Sequence, residues 1–190
     1  MSDSNRSRRL EQTPLWDFAC AFYADDEAAA ACLTLQDEAG VDVCELLFHV
    51  WLYRHRLMAQ PAALEKEREA RNRWQQGVTQ TLRALRRDLK EQARASESVH
   101  KLRETIKCAE LAAERENLAA WQVFALGGRK GETVLETLSV TPQDVALWLR
   151  NRLCLPNFSG HSLLIAEQSE SVESAWQLIA SRLDSSTPAR

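Results

Sequence analysis

The sequence predicts an all-α protein. Six glycines and five prolines in 190 residues are too few for the many turns of an all-β fold. The strong helix formers Ala, Leu, Glu, Arg and Gln dominate the composition, and apolar residues recur every three or four positions along much of the chain. We expect a compact three-helix N-terminal core that packs on a long antiparallel helical hairpin, with a small helical C-terminal lobe.

The N-terminal segment and the cysteine content indicate the compartment. Residues 1–13 are polar and contain three arginines but no apolar stretch before a cleavage site, so we expect a disordered tail rather than a secretory signal or an anchor. No apolar run approaches the roughly 20 residues needed to cross a bilayer. The five cysteines are odd in number and widely spaced, which does not suit a disulfide framework. These features predict a cytoplasmic protein without a membrane partner.

Three short helices are expected between Leu15 and Arg56, where the apolar residues are densest. Pro14 suits the first turn of a helix, because the backbone N–H groups of that turn have no acceptor within the helix and proline lacks this group. A second helix begins with acidic residues, which the helix dipole favours, and stops at Gly40. Asp42 caps a third helix, whose apolar stripe makes it a core element. The second and third helices are expected over about 26–38 and 43–56.

Two long helices should follow as an antiparallel hairpin. Pro61 opens the first, which is expected to continue to about Ala95. Its apolar positions from Trp74 to Leu89 are spaced by 4, 4, 3 and 4 residues, as in a helix-packing seam. Ser96 and Ser98 mark a break, and the second helix is expected over about 99–126. Both helices are long relative to the N-terminal core, so part of the hairpin should project.

The remainder of the chain predicts a smaller helical extension. A glycine-rich break at 127–131 is followed by a helix that Pro142 opens and that ends before Pro156. The segment 157–165 suggests a loop, within which Leu163–Ile165 suits either a helix or a short strand, and a last helix is expected over about 172–183. We therefore divide the chain into a tail at 1–13, a helical core and hairpin domain at 14–126, and an extension at 127–190 that either folds onto the hairpin or forms an appendage.

No constellation of side chains predicts a catalytic, cofactor or metal site. Glu45 and His49 stand four residues apart on the third helix, a spacing that can hold a metal or a proton, but no second Glu–His set accompanies them. Glu110 and Glu114 have the same spacing on a highly charged helix and are expected on a solvated face. The cysteines lack metal-site spacing and are expected as small buried apolar residues. The glycines at 127–131 lack the preceding strand and the Ser or Thr of a phosphate loop.

A basic stripe on the hairpin is the most usable surface feature. The net charge is −3, yet residues 61–130 carry 15 basic and 10 acidic side chains. The cations on the stripe are separated by three, one, three and four residues and so share one helix face. They suit a solvated helix face, a protein-binding surface or nucleic-acid binding, and no recognised nucleic-acid motif accompanies them. The candidate partner-binding residues are Arg83, Arg86, Arg87, Lys90 and Arg94.

Several short motifs resemble an uncharacterised family of small bacterial proteins that carry a domain of unknown function. They are Leu15-Trp16-Asp17-Phe18, Leu35-Gln36-Asp37, Gly40 with Asp42-Val43, and Trp51-Leu52. The resemblance continues through Trp74 and the Glu110–Leu118 stretch, so it covers roughly the first two-thirds of the chain. It implies a compact bacterial helical fold and transfers no catalytic residue, because the family has no established activity.

The sequence favours a non-enzymatic interaction protein, an adaptor or regulatory accessory protein that presents a charged helical surface to a protein partner. The first alternative is a nucleic-acid-binding protein that uses the basic stripe. The second is a metal- or small-molecule-dependent enzyme centred on Glu45 and His49. Six tryptophans and five phenylalanines also leave open a ligand pocket between helices. The sequence predicts no cofactor and does not define the partner or the oligomeric state.

Overall fold

The computed structural model describes residues 3–127, 134–153 and 169–184, and it confirms the all-α class. The first four helices are α1 (Asp3–Gln12), α2 (Leu15–Tyr23), α3 (Asp26–Ala39) and α4 (Val43–Arg54), and the short strand β1 (Leu57–Ala59) follows them. The hairpin contains α5 (Pro61–Trp74), a π turn (Gln75–Thr79), α6 (Gln80–Asp88), α7 (Lys90–Ala95) and α8 (Glu97–Ala125). The last elements are β2 (Leu135–Thr137), α9 (Val145–Leu153) and α10 (Glu170–Asp184). No helix in these ranges is both long enough and apolar enough to cross a bilayer.

Residues 3–12 form helix α1, whereas the sequence predicted that residues 1–13 are a disordered tail. Leu10 is fully buried and belongs to the main core. The guanidinium of Arg6 donates to the carbonyl of Leu135 at 3.1 Å, and that of Arg9 donates to the carbonyl of His55 at 2.6 Å. The prediction missed α1 because a single apolar residue among polar ones gives no helical period. The residues that hold α1 in place, Leu135 and His55, lie far away along the chain.

The predicted ends of α3 and the predicted start of α4 are confirmed by their capping contacts, whereas α4 ends at Arg54 rather than at about Arg56. The Asp25 carboxylate accepts hydrogen bonds from the backbone N–H groups of Glu27 and Ala28 at 3.0 and 3.2 Å. Asp42 does the same at the start of α4, where it accepts from Cys44 at 2.8 Å. Gly40 ends α3 with φ +67°, a left-handed conformation that glycine adopts at little cost.

Helix α4 is the centre of the core. Every residue from Val43 to Tyr53 is buried, because α2, α3, α8 and α9 surround this helix. The ring of Phe48 stacks on that of Trp121 with centroids 4.7 Å apart. Trp51 is fully buried, and its indole N–H donates to the carbonyl of Thr13 at 2.8 Å. The apolar residues of the opening third thus largely seal an interior.

The hairpin is interrupted where the sequence predicted one continuous helix from Pro61 to Ala95. The π turn at Gln75–Thr79 includes Gly77, a poor helix former, and a second break separates α6 from α7 at Leu89. We call residues 80–108 the arm, since α6, α7 and the first part of α8 pack mainly on one another there. Ile106 is the only side chain of the arm that is buried. The arm is therefore a helical hairpin, with α6 and α7 packed on α8, and it projects from the rest of the described residues, which are better packed and which we call the body.

The described parts of the C-terminal extension pack on the N-terminal core. Strand β2 pairs antiparallel with β1, a small sheet that the sequence did not predict. Helix α10 lies along α3, and the Arg182 guanidinium donates to Asp25 at 2.7 Å. Helix α9 contacts α4 and α10. Most of the glycine-rich break at 127–131 and the whole of segment 157–165 lie outside the described residues.

Candidate functional site: the arm and the cleft at its base

Glu45 and His49 lie in the sealed core rather than in an open site. Both are buried, and the His49 Nε2 is 3.6 Å from the Glu45 Oε1. Arg68 lies against the same carboxylate, with its Nε donating to Oε1 at 2.8 Å and its Nη2 contacting that oxygen as well. The Arg68 Nη2 also donates to the carbonyl of Arg152 at 2.7 Å. The group that compensates Glu45 is therefore a guanidinium.

The pKa values of this cluster describe a structural ion pair. Burial by itself would raise the pKa of Glu45, but the contacts with His49 and Arg68 outweigh burial and lower it. Burial lowers the pKa of His49, and the contact with Glu45 only partly opposes this. In residues 3–127, 134–153 and 169–184, no three His, Cys, Asp or Glu side chains are grouped as metal ligands. The cluster thus consists of an ionised carboxylate, an arginine and a neutral imidazole.

The basic stripe does not form one surface, because its first two arginines face inward. The Arg83 guanidinium donates to Glu110 at 2.7 Å, to Glu114 at 2.5 Å and to the Gln36 amide oxygen at 2.8 Å. Arg86 contacts both oxygens of Glu110. Glu110 is buried and Glu114 half-buried, so the expectation that these carboxylates form a solvated face was wrong. These contacts fasten the two helices of the hairpin together.

The carboxylates of this network differ in their pKa shifts. Burial would raise the pKa of Glu110, but hydrogen bonds from Arg86 and Arg83 outweigh burial and lower it. Burial raises the pKa of Glu114, and Arg83 only partly offsets this. Because Glu110 accepts from two guanidiniums and Glu114 from one, Glu110 is the better compensated carboxylate.

The remaining stripe residues are exposed. Arg87 donates to Asp37 on α3 at 2.9 Å, and both side chains are more than half exposed. Arg94 pairs with Glu91 in its own helix at 2.6 Å. Lys90 is exposed and has no ion pair with any described residue. The stripe therefore divides into an inner pair, Arg83 and Arg86, and an outer set, Arg87, Lys90 and Arg94.

The surface of the arm combines positive charge with exposed leucines. The arm has eight Lys or Arg and four Asp or Glu in all; apart from the inward-facing Arg83 and Arg86, six cations remain against four acids, an excess of +2 in a chain of net charge −3. Leu85 and Leu102 are 47% and 51% exposed. The Arg103 guanidinium donates to the carbonyl of Arg86 at 3.2 Å, which sets the register of the hairpin. Leu85 immediately precedes Arg86, and Leu102 immediately precedes Arg103. Because α6 and α8 run antiparallel, the residue before each of these two contacts lies on the same side of the line along which the helices meet, so both leucines lie on that side.

A cleft of about 360 Å³ opens at the base of the arm, between α2 and α3 on one side and α6 and α8 on the other. Its walls include Trp16, Tyr23, Leu33, Leu111 and Leu118, and its polar rim includes Arg83, Arg86, Arg87, Glu110 and Glu114. The two walls meet through Arg115, whose guanidinium lies 5.2 Å from the Trp16 ring centroid. The rim of this cleft thus contains three of the five arginine and lysine residues that the sequence identified.

The sequence alone did not predict the cleft, although it left a ligand pocket open. Its described lining comes from six separate elements, and its carboxylates meet arginines 24 to 31 residues away along the chain. The tryptophans differ: Trp51 is sealed, Trp16 lines the cleft, and Trp74 is partly buried with its indole N–H donating to the carbonyl of Ala113 at 3.0 Å. The one available indication was the apolar face of α2, which repeats from Trp16 through Ala19 to Tyr23.

The similarity of this chain to known sequences extends over the body and the arm. No curated protein and no solved structure matches the chain. One family matches residues 14–120, a span from the start of α2 to the second half of α8, and its description is a protein of unknown function, DUF2390. This span covers more than half of the chain, and it includes the core helix α4, the whole arm and every described residue that lines the cleft. The chain therefore belongs to the DUF2390 family.

Proposed function

We propose that this protein is a non-enzymatic interaction protein, an adaptor or regulatory accessory protein, whose arm binds an acidic and partly apolar surface of a protein partner. The observation that carries the proposal is the arm itself: a helical hairpin with one buried side chain, exposed leucines on one side and, apart from the inward-facing Arg83 and Arg86, six Lys or Arg against four Asp or Glu. A helical projection with so little interior gains stability and specificity when a partner covers it.

The apolar side of the arm supports a protein partner. Leu85 and Leu102 each leave about half of the side chain in water. Covering such surface yields roughly 25 cal/mol per Å² of apolar area removed from water. Two leucines alone do not make an interface, but they provide anchors that neighbouring polar contacts can surround.

The outer cations support an acidic partner. Lys90 has no ion pair with a described residue, and Arg87 and Arg94 have partners that are themselves exposed. Such charges accelerate encounter with a surface of opposite sign and disfavour basic partners. Arg83 and Arg86 hold the hairpin together in this proposal and do not contact the partner. The contact residues are then Lys90, Arg94 and Leu102, with Arg87 at the edge.

A quantitative capture experiment tests the proposal. The full chain is immobilised and exposed to nuclease-treated lysate beside Lys90→Glu, Leu102→Glu and the control Val123→Glu. Val123 is 59% exposed on α8 beyond the arm, so its variant adds a charge of the same sign at a comparable position. We expect at least one protein that the wild type and the control retain and that both arm variants lose by about tenfold or more.

Two outcomes would contradict the proposal. One is a set of retained proteins that is the same for all four chains. The other is a partner that is retained from a parallel untreated lysate but not from the nuclease-treated one, because this would favour the nucleic-acid alternative. That alternative predicts saturable binding of a short single-stranded RNA or DNA that weakens steeply with salt and is lost in Lys90→Glu. The pairing of Arg83 and Arg86 with Glu110 and Glu114 leaves fewer cations for a phosphate backbone than the sequence suggests.

A further inference from the structure

We infer that the cleft at the base of the arm binds a small amphiphilic carboxylate, with the apolar tail between Leu33 and Leu111 and the carboxylate at Arg86 and Arg87. This inference concerns a different surface from the leucine side of the arm and does not rest on the proposed function. It follows from the shape of the cleft, the composition of its walls and the charge at its rim.

The size and walls of the cleft suit a small molecule. Its volume of about 360 Å³ lies in the range of roughly 300–1,000 Å³ that is typical of small-molecule sites. Leu33 and Leu111 are 50% and 53% exposed although they line a concave surface, so water now covers apolar area that a tail would cover. Tyr23 and Trp16 complete the wall on the side of α2. Filling the space between α3 and α8 would remove this apolar surface from water.

The charge of the rim selects an acid over a base. Among the described residues that line the cleft, three carry guanidiniums and two carry carboxylates, which gives this lining a formal charge of +1. One of these carboxylates, Glu114, has its pKa raised by burial, which favours its uncharged form. A ligand ammonium would add to an excess of positive charge, whereas a ligand carboxylate would compensate it.

Arg86 and Arg87 have donors to spare. The hydrogen bonds of Arg86 use Nε and Nη2, and the bond of Arg87 uses only Nη2. Within the described ranges, the Arg86 Nη1 and the Arg87 Nε and Nη1 therefore have no hydrogen-bond acceptor. Guanidinium groups bind carboxylates through paired N–H donors. A ligand carboxylate would thus join the existing network without displacing Glu110.

Titration of the full-length protein with three matched probes tests the inference. Octanoate, octylamine and octanol share an eight-carbon tail and differ in the charge of the head group. Binding at neutral pH is followed by calorimetry and by the indole N–H signal of Trp16, which is identified with Trp16→Phe. We expect saturable octanoate binding that shifts this signal, with a dissociation constant about tenfold or more below those of octylamine and octanol.

Variants then locate the site. We expect Arg87→Gln and Leu111→Glu each to weaken octanoate binding by about tenfold, because one removes the head-group donors and the other places a charge in the tail region. Val123→Glu should bind octanoate like the wild type, and thermal unfolding confirms that each variant is folded. Octylamine binding as tightly as octanoate, affinity unchanged in Leu111→Glu, or no saturable binding of octanoate would each overturn the inference.

Discussion

The body and the arm of this protein use the same charged residues in different ways. In the body, the Glu45–Arg68 pair is buried among apolar side chains next to a buried histidine. In the arm, Arg87, Lys90 and Arg94 are exposed and only Ile106 is buried. Both regions are rich in helix formers and in Arg and Glu, so composition does not distinguish them. What distinguishes them is the number of elements that surround each helix.

This difference determines which charges matter for stability and which remain available for binding. When a buried carboxylate loses its partner, the free energy that its removal from water costs is no longer offset by an ion pair. An exposed ion pair gains little, because water and salt screen it and two long side chains lose freedom. We therefore expect substitutions in the body to change folding, and substitutions on the outer arm to change binding.

The largest effect is expected for Arg68→Leu. This change leaves the Glu45 carboxylate buried beside His49 with no cation and also removes the hydrogen bond to the carbonyl of Arg152. Breaking a buried pair in this way costs about 3–5 kcal/mol of unfolding free energy. Urea unfolding followed by circular dichroism measures it.

The double variant Glu45→Leu with Arg68→Leu is the matched control. It removes both charges, so it should recover most of the stability that Arg68→Leu loses. A double variant that is no more stable than Arg68→Leu would show that the arginine acts through packing or through its contact with Arg152 rather than through Glu45.

A smaller, pH-dependent effect is expected at Asp42, the half-buried cap of α4. Burial raises its pKa from 3.8 to about 6. The folded protein therefore binds this proton more tightly than the unfolded chain does, and the contribution of Asp42 to stability falls as the pH rises from about 4 through about 6. Near pH 7.5 the ionised group should cost up to about 3 kcal/mol relative to its protonated form.

The variant Asp42→Asn isolates this contribution. Asn also caps helices well but does not ionise. We expect the stability of Asp42→Asn relative to wild type to increase by about 2–3 kcal/mol between about pH 4 and about pH 7.5. Asp37→Asn should show a small change of opposite sign, because Arg87 lowers the pKa of that exposed carboxyl. Equal pH profiles for wild type and Asp42→Asn would contradict the prediction.

The sequence predicted the elements whose determinants are local. Asp25, Gly40 and Asp42 set the ends of α3 and α4 through contacts within three residues, or through a conformation that suits glycine. The helical period of the hairpin was equally visible. Both rest on interactions between neighbours in the chain, which is why one sequence was sufficient to predict them.

The features that the sequence missed depend on distant partners. Helix α1 is held by contacts to Leu135 and His55, and β1 pairs with a strand more than 70 residues later. The i, i+4 spacing of Glu110 and Glu114 suits a solvated helix face and a buried network equally well. Only the position of Arg83 on the facing helix decides between them. The cleft follows from the same long-range packing, so its lining had no local pattern to predict it.

The smallest effect on stability is expected for Arg87→Gln, at the contact between arm and body. Its ion pair with Asp37 is more than half exposed on both sides, so its loss should cost about 0.2–1 kcal/mol and less at roughly 0.5 M salt. Arg83→Gln is the comparison, because it removes three hydrogen bonds from a mostly buried network and should cost more. Urea midpoints of both variants at low and high salt measure the difference.

If Arg87→Gln were as destabilising as Arg83→Gln, the outer arm would be part of the folded core, and a loss of octanoate affinity in that variant would reflect folding. If its stability stays near that of wild type, the same loss identifies Arg87 as a ligand contact.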